Sequence, residues 1–352
     1  MTLPLDRLFE KAYQERQLLY VSLELTYDCN FACRFCYNPV KRTDQERETP
    51  GGTDEERLRP EEIFRLLSRL KESGVLFLTL TGGEPLLHRN FWEIMEEAVR
   101  LSFAVRIFTN GALIDEKVAD RFEKTRPYCV EMSIYGASEK GYEETNGRGK
   151  DFKKVIEALR MLKERGINTF LKCVLTSITE KEMEAIQELS DDLCLPLFWD
   201  PVITPSEDGL GYPLKYRASE AGLEKLISDP RFRVGVSPFD RGEGDSVCNI
   251  GRISLGVDPY GNVVPCMQWK ETLGNVRRDD IIEVWRESPR FPELIALSGK
   301  CLENIRKSTE HHAYCFNCMG KSRLLYGDPT IPDEYELKIA ALRKKYDHGR
   351  GS

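Results

Sequence analysis

The sequence predicts an α/β fold built on a parallel sheet, followed by a smaller α+β unit. Three observations carry this expectation. Between residues 21 and 202, strand-patterned runs alternate with amphipathic helical runs. Units of this kind imply parallel strands joined by right-handed crossovers. After about Pro205 the rhythm stops, and a turn-centred hairpin and further helical stretches follow.

The elements are predicted as follows. Leu5, Leu8, Ala12 and Leu18 recur at helical spacing, giving an N-terminal helix over 5–19. The first strand is 21–26, and a cysteine loop follows its C-terminal end. Residues 41–59 are charged and Gly/Pro-marked, a loop. Pro60 opens a helix to about 71, proline being suited to a first turn. Further strands fall at 75–79, 104–108, 129–134, 170–175 and 196–202. Helices fall between them at 91–101, 115–124, 152–165 and 181–193, with Gly166 as a stop. Periodicity leaves both a doubly wound open sheet and a barrel available. In either, reactive groups gather at the C-terminal ends of the strands.

Residues 205–247, rich in Gly, Pro, Ser and charge, read as a connection with one helix near 219–228. Hairpin arms at 252–257 and 262–264 flank Asp258-Pro259-Tyr260-Gly261, which has turn chemistry. Helices near 279–286 and 333–346 complete the chain, with Gly-Arg-Gly-Ser as an unstructured end. The expected divisions are an N-terminal helix (1–20), a barrel (21–204), a connecting segment (205–247), an auxiliary unit (248–330) and a C-terminal helix and tail (331–352).

A length of 352 residues suits about two domains. A net charge of −7 makes a nucleic-acid backbone a poor partner. No apolar run approaches the ~20 residues that cross a bilayer, and the N-terminus has no signal-peptide core. The expected location is cytoplasmic. Eleven cysteines in such a compartment favour metal binding over disulfides. Cys129, Cys173 and Cys194 stand alone in apolar runs and read as small buried hydrophobes.

Cys29-Asn30-Phe31-Ala32-Cys33-Arg34-Phe35-Cys36 has C-x₃-C-x₂-C spacing. A cubane iron–sulfur cluster takes four thiolates, so three leave one iron open. A structural loop or an incomplete zinc site would use the same residues, but zinc also wants four ligands and no His lies nearby. The stretch, with Phe35 before the third cysteine, resembles the signature of the radical S-adenosylmethionine (radical SAM) enzymes. The resemblance implies a partial (β/α)6 TIM-like barrel and a [4Fe-4S] cluster on Cys29, Cys33 and Cys36. It also implies S-adenosyl-L-methionine bound at the open iron and cleaved to a 5′-deoxyadenosyl radical that abstracts a substrate hydrogen. Cofactor contacts implied by the resemblance are Phe35, Gly82, Gly83 and Glu84 (holding the methionine amino group), Asn110, Ser133 (a ribose contact) and Arg148 (the methionine carboxylate). Plain structural readings stand beside these: a tight Gly-Gly turn, an Asn-Gly turn, a self-bonded serine and a solvated loop arginine. No catalytic base or radical relay is identified. Glu131, Tyr135, Lys172 and Asp200 lie at or near strand ends, where one would sit.

Cys248, Cys266, Cys315 and Cys318 offer four further thiolates, enough to saturate one cubane or to hold a structural zinc. Twelve residues separate Cys248 from Gly261, and four separate Gly261 from Cys266. The pattern resembles the SPASM and Twitch auxiliary-cluster domains, and without any cysteine after Cys318 it is Twitch-like. The resemblance implies one auxiliary [4Fe-4S] cluster that accepts an electron. Cys301 reads as structural, and His311 and His312 as surface residues. Proteins of this type often mature ribosomally synthesised peptides by crosslink, thioether or other oxidation, and that is the expected function. The alternatives are a small-molecule radical dehydrogenase or decarboxylase in cofactor, tetrapyrrole or aminocyclitol biosynthesis, and a non-catalytic iron–sulfur or zinc scaffold. The implied partners are a peptide or small-molecule substrate and an electron donor such as flavodoxin or ferredoxin. With about twenty residues before the first strand, peptide recognition is expected from a separate protein or from 205–245.

Overall fold

The computed structural model describes residues 4–38, 56–234 and 245–347. Most of the expected loop at 41–59, part of the 205–247 connection and the Gly-Arg-Gly-Ser end lie outside the described residues. The first half runs α1 (Pro4–Glu15), β1 (Tyr20–Thr26), α2 (Pro60–Glu72), β2 (Phe77–Gly82), α3 (Phe91–Arg100), β3 (Ala104–Thr109), α4 (Glu116–Thr125), β4 (Cys129–Ser133), α5 (Glu139–Asn146), α6 (Phe152–Glu164), β5 (Thr169–Val174), α7 (Met183–Leu193) and β6 (Leu197–Asp200). The second runs α8 (Glu220–Ser228), β7 (Ser254–Val257), β8 (Asn262–Val264), β9 (Gly274–Asn275), α9 (Ile281–Glu287), α10 (Arg290–Ser308), α11 (Met319–Tyr326) and α12 (Glu334–Lys345).

The strand order is β6-β5-β4-β3-β2-β1-β7-β8-β9. Strands β1 to β6 are parallel neighbours in chain order. Crossovers of one hand, always stepping the same way, all land on the same side of the sheet. A doubly wound sheet needs a reversal of direction, and β1 to β6 have none. The fold is therefore the partial barrel, with its helices on the outer face.

The two faces follow from strand alternation. Leu23, Leu80, Ile107, Met132, Leu171 and Leu197 are buried in one core with Leu67, Ile94 and Leu159 of the helices. The opposite face carries Glu24, Arg106, Phe108, Glu131, Lys172 and Asp200, and it lines the lumen. At the bottom, Phe9 of α1 stacks on Tyr20 at 5.8 Å, and Tyr20 stacks on Phe77 at 4.5 Å. These rings plug the N-terminal end of the barrel.

Several features differ from the expectation: helix α11 and strand β9 were not anticipated, Cys194 is exposed rather than buried, and three further differences have a clear cause. Helix α5 was not anticipated. Its signals are local caps, Ser138 Oγ accepting from the Gly141 N–H at 2.9 Å and a left-handed Gly147, while its sparse apolar residues hide the period. Helix α10 was also missed. Pro292 and Gly299 interrupt its pattern, yet proline is tolerated in a first turn. The hairpin does not stand apart. β7 pairs in parallel with β1, from Tyr20↔Ser254 to Leu23↔Val257, so the barrel sheet continues into the C-terminal half.

A second core joins Val247, Trp269, Leu294, Leu302 and Met319 beneath the later cysteines. Beside it the fully buried Lys321 pairs with Asp333 at 2.8 Å and Glu336 at 2.7 Å. Arg217 also reaches Asp333, at 2.9 Å. Removing one member of such a group strands its buried partners. Lys321→Met is expected to destabilise the chain by about 3–5 kcal/mol, read as a lower midpoint in anaerobic thermal unfolding of the cluster-loaded protein.

Candidate active site

The cysteine loop hangs from the C-terminal end of β1. Its Ala32 and Arg34 N–H groups donate to the carbonyls of Asn146 and Thr145, at 3.3 and 3.0 Å. Those carbonyls end α5, where the helix leaves its acceptors unpaired. From the far side, Tyr212 Oη donates to the Cys36 carbonyl at 3.0 Å. Ser206 Oγ and the Glu207 N–H donate to the Tyr37 carbonyl at 3.2 and 2.9 Å. Phe31 and Phe35 pack on Tyr135 at 5.7 and 6.4 Å.

Cys29, Cys33 and Cys36 are partly buried and free of disulfides. Burial first, then the neighbouring Cys36 and Cys29, hold the Cys33 thiol well above its ordinary pKa, and burial pushes Cys36 up to about 12. Close, buried thiols of this kind ionise only where positive charge is supplied. An iron–sulfur cluster supplies it, and these residues fit one.

The end of β2 is pressed against the root of the loop. Gly82 has φ +131°, and a Cβ there would lie 2.2 Å from the Thr26 carbonyl oxygen. A Cβ on Gly83 would lie 2.2 Å from the Asp28 carbonyl oxygen. Only glycine permits this approach. It brings the Gly83 N–H to the Thr26 carbonyl and the Glu84 N–H to the Asp28 carbonyl, both at 2.7 Å.

Glu84 is fully buried. It accepts from Thr109 Oγ1 and the Asn110 N–H at 2.8 Å each, and from the Leu86 N–H at 3.1 Å. Burial pushes its pKa up to about 7, against the lowering effect of those hydrogen bonds. The carboxylate ties the end of β2 to the end of β3.

Asn110 Nδ2 donates to Asn30 Oδ1 at 2.7 Å and lies 3.8 Å from Cys29 Sγ, so it braces the loop. Ser133 bonds the Tyr135 phenol, which in turn bonds Cys33. Arg148 is turned to Asp151, Nε to Oδ2 at 2.8 Å, within its own loop and half-exposed.

One lumen wall carries three of the strand-end residues. Arg106 Nε donates to Glu131 Oε1 at 2.8 Å, Lys172 pairs with Glu131, and Lys172 Nζ sits 4.1 Å from the Phe108 ring centre. Asp200 Oδ1 accepts from the Val202 N–H at 2.9 Å. Tyr135 belongs instead to the aromatic group under the loop.

On the opposite wall, Glu24 pairs with Lys270, which also faces Glu207 at 3.5 Å. The sequence reading missed this group. Its members come from three distant segments, and the one available signal was Glu24, a charge inside a strand.

Cys248, Cys266 and Cys315 pack around the second core. Burial pushes Cys248 up to about 11 and Cys266 up to about 12, and Cys266 feels both Cys318 and Cys248. The Cys318 sulfur accepts from the backbone of Lys321 and Gly320 at the start of α11. Cys301 is fully buried and accepts from Asn317 Nδ2 at 3.5 Å. Among the described residues no three Cys, His, Asp or Glu side chains form a ready single-ion site. The donors are thiols alone, which suits a cluster.

A singly wound barrel, a three-thiol loop at its mouth and a second thiol set beyond it define an iron–sulfur enzyme that uses S-adenosylmethionine. The chain carries a radical SAM domain, the superfamily model matching residues 23–190, and a SPASM iron–sulfur cluster-binding domain over residues 248–319. It is 25% identical to the mycofactocin maturase MftC of Mycobacterium ulcerans over 94% of this chain and 93% of that one. The same protein of Mycobacterium tuberculosis H37Rv is 26% identical over 84% and 77%. Among solved structures, anSMEcpe with bound AdoMet superposes with a TM-score of 0.70 at 18% identity, covering 94% of this chain and 98% of that one. Streptococcus suis SuiB bound to precursor peptide SuiA gives 0.68 at 16% identity, covering 94% and 79%. These two likenesses are of fold.

Gly83→Ala is expected to displace Asp28 and cut 5′-deoxyadenosine formation by about tenfold or more, since a 1 Å misplacement at a site costs far more than its size implies. Glu84→Gln sets an amide N–H₂ against existing donors and is expected to cost about 1–3 kcal/mol of stability, measured by thermal unfolding.

Proposed function

We propose that this enzyme matures a ribosomally synthesised peptide by a net two-electron oxidation. The observation that carries this is the likeness to mycofactocin maturases along nearly the whole chain, both cysteine regions included. SuiB, which shares the fold, is recorded with its precursor peptide. Cys29, Cys33 and Cys36 hold the first cluster. The backbone of Gly82 and Gly83 faces the methionine amino group, and Asn110 and Ser133 steady the loop around it. When bound, the cluster and S-adenosylmethionine supply a radical that removes a substrate hydrogen.

Cys248, Cys266, Cys315 and Cys318 hold the second cluster. The aromatic plug of Phe9, Tyr20 and Phe77 keeps solvent from entering the barrel from below. The lumen wall of Arg106, Phe108, Glu131 and Lys172 orients the substrate. A flavodoxin or ferredoxin supplies the electron, a separate protein presents the peptide, and the work takes place in the cytoplasm. Among the described residues no helix is long and apolar enough to cross a membrane.

The test is anaerobic incubation of the cluster-loaded protein with S-adenosylmethionine, dithionite and candidate short peptides taken from any small open reading frames that flank its gene. A peptide product lighter by two hydrogens or more, together with 5′-deoxyadenosine, is the expected outcome. An unaltered peptide alongside oxidation of a small metabolite would replace this reading. Replacing Cys248 and Cys266 by Ala is expected to lower iron from about eight to about four per chain. Cofactor cleavage should survive in that variant while the oxidised product is lost.

A further inference from the structure

Two N–H groups converge on the sulfur of Cys29. The first belongs to the loop itself: the Phe31 N–H donates to Cys29 Sγ at 3.4 Å. The second comes from outside it. Asn110, at the end of β3, places Nδ2 3.8 Å from the same sulfur. A thiol sulfur is a weak acceptor, but a charged acceptor strengthens any bond it receives. Both contacts therefore gain once Cys29 is a thiolate ligand.

The amide of Asn110 is held in one orientation. The residue is buried. Its Oδ1 accepts from the Ala112 N–H at 3.0 Å, so Nδ2 is the end turned to the cysteine loop. Its own N–H is fixed on Glu84 Oε2 at 2.8 Å, and Glu84 is fixed in turn by Thr109 Oγ1 and the Leu86 N–H. An amide nitrogen carries two donors. One goes to Asn30 Oδ1 at 2.7 Å, which suffices to brace the loop. The other faces Cys29 Sγ, where bracing does not require it. A buried dipole aimed at a ligand sulfur also counts for more than one in water.

We propose that Asn110 sets the reduction potential of the first cluster, through its N–H on the Cys29 sulfur. It acts by way of Cys29 and is a positioning residue. The inference rests on the reading that Cys29, Cys33 and Cys36 hold that cluster, and it does not need the peptide. Hydrogen bonds to the sulfurs are among the features that fix such potentials. The Asn110 N–H favours the added negative charge of the reduced state and raises the potential, whereas burial of the loop lowers it. Asn110 thus brings the first cluster within reach of a donor of the flavodoxin or ferredoxin class.

The test is an anaerobic reductive titration of the cluster-loaded full chain, followed by electron paramagnetic resonance. The first cluster is the one whose signal S-adenosylmethionine alters, and the cluster of the second thiol set serves as the internal reference. Asn110→Ala and Asn110→Ser should each leave about tenfold less of the first cluster reduced at a fixed potential, a shift of about 59 mV to more negative values for one electron. The reference should not move. Asn30→Ala removes the brace and keeps the sulfur contact, so it should leave the first potential where it stands. Equal potentials in the parent and both Asn110 variants, or an equal shift in Asn30→Ala, would overturn the assignment. Loss of the first cluster from both Asn110 variants would also overturn it and leave Asn110 a brace alone. A parent chain with no signal that S-adenosylmethionine alters would overturn the cluster reading as well, so the two failures are distinct.

Discussion

The close approach of two backbones sets the rest of this structure. Gly82 and Gly83 let the end of β2 come within hydrogen-bonding distance of the carbonyls of Thr26 and Asp28, at the root of the cysteine loop. The loop starts where that contact fixes it. Glu84 then carries the constraint sideways to Thr109 and Asn110, and Asn110 returns it to Cys29 through its amide. Three strand ends and one thiol are thereby locked into a single unit. The Glu84 carboxyl group is the tie of that unit.

Helix α5 completes the support from the other side. Its terminal carbonyls need donors, and the cysteine loop needs anchors. Thr145 and Asn146 meet Arg34 and Ala32, and each side satisfies the other. The aromatic group of Phe31, Phe35, Tyr135 and Tyr142 fills the space beneath. The loop is therefore held by hydrogen bonds at its edges and by rings under its floor.

Much of this could be read from residues alone. The six parallel strands show as short apolar runs, and both thiol sets show as spacings. Arg148 illustrates what such reading misses. In the structure its guanidinium pairs with Asp151, three residues on, a partner that spacing does not reveal. Spacing reports which residues share a loop, while the direction of a long side chain depends on partners that folding brings. The same holds for Lys270, whose partner Glu24 is distant in sequence. The pairing of β7 with β1 was hidden for a related reason. A strand that extends an existing sheet looks the same, residue by residue, as one that starts a new one.

The two thiol sets are bound into one body by that shared sheet and by the Glu24–Lys270–Glu207 contact across the lumen. The lumen between them is polar on its walls and sealed at its base, so chemistry is confined to the mouth. All of this has purpose only if the loop of Cys29, Cys33 and Cys36 leaves one iron for an outside ligand. The most direct measurement is Mössbauer spectroscopy of protein loaded with isotopically enriched iron, carrying Ala in place of Cys248, Cys266, Cys315 and Cys318, recorded with and without S-adenosylmethionine. The account predicts that one iron of the remaining cubane changes its isomer shift when the sulfonium is added. A spectrum that is the same in both samples would contradict it.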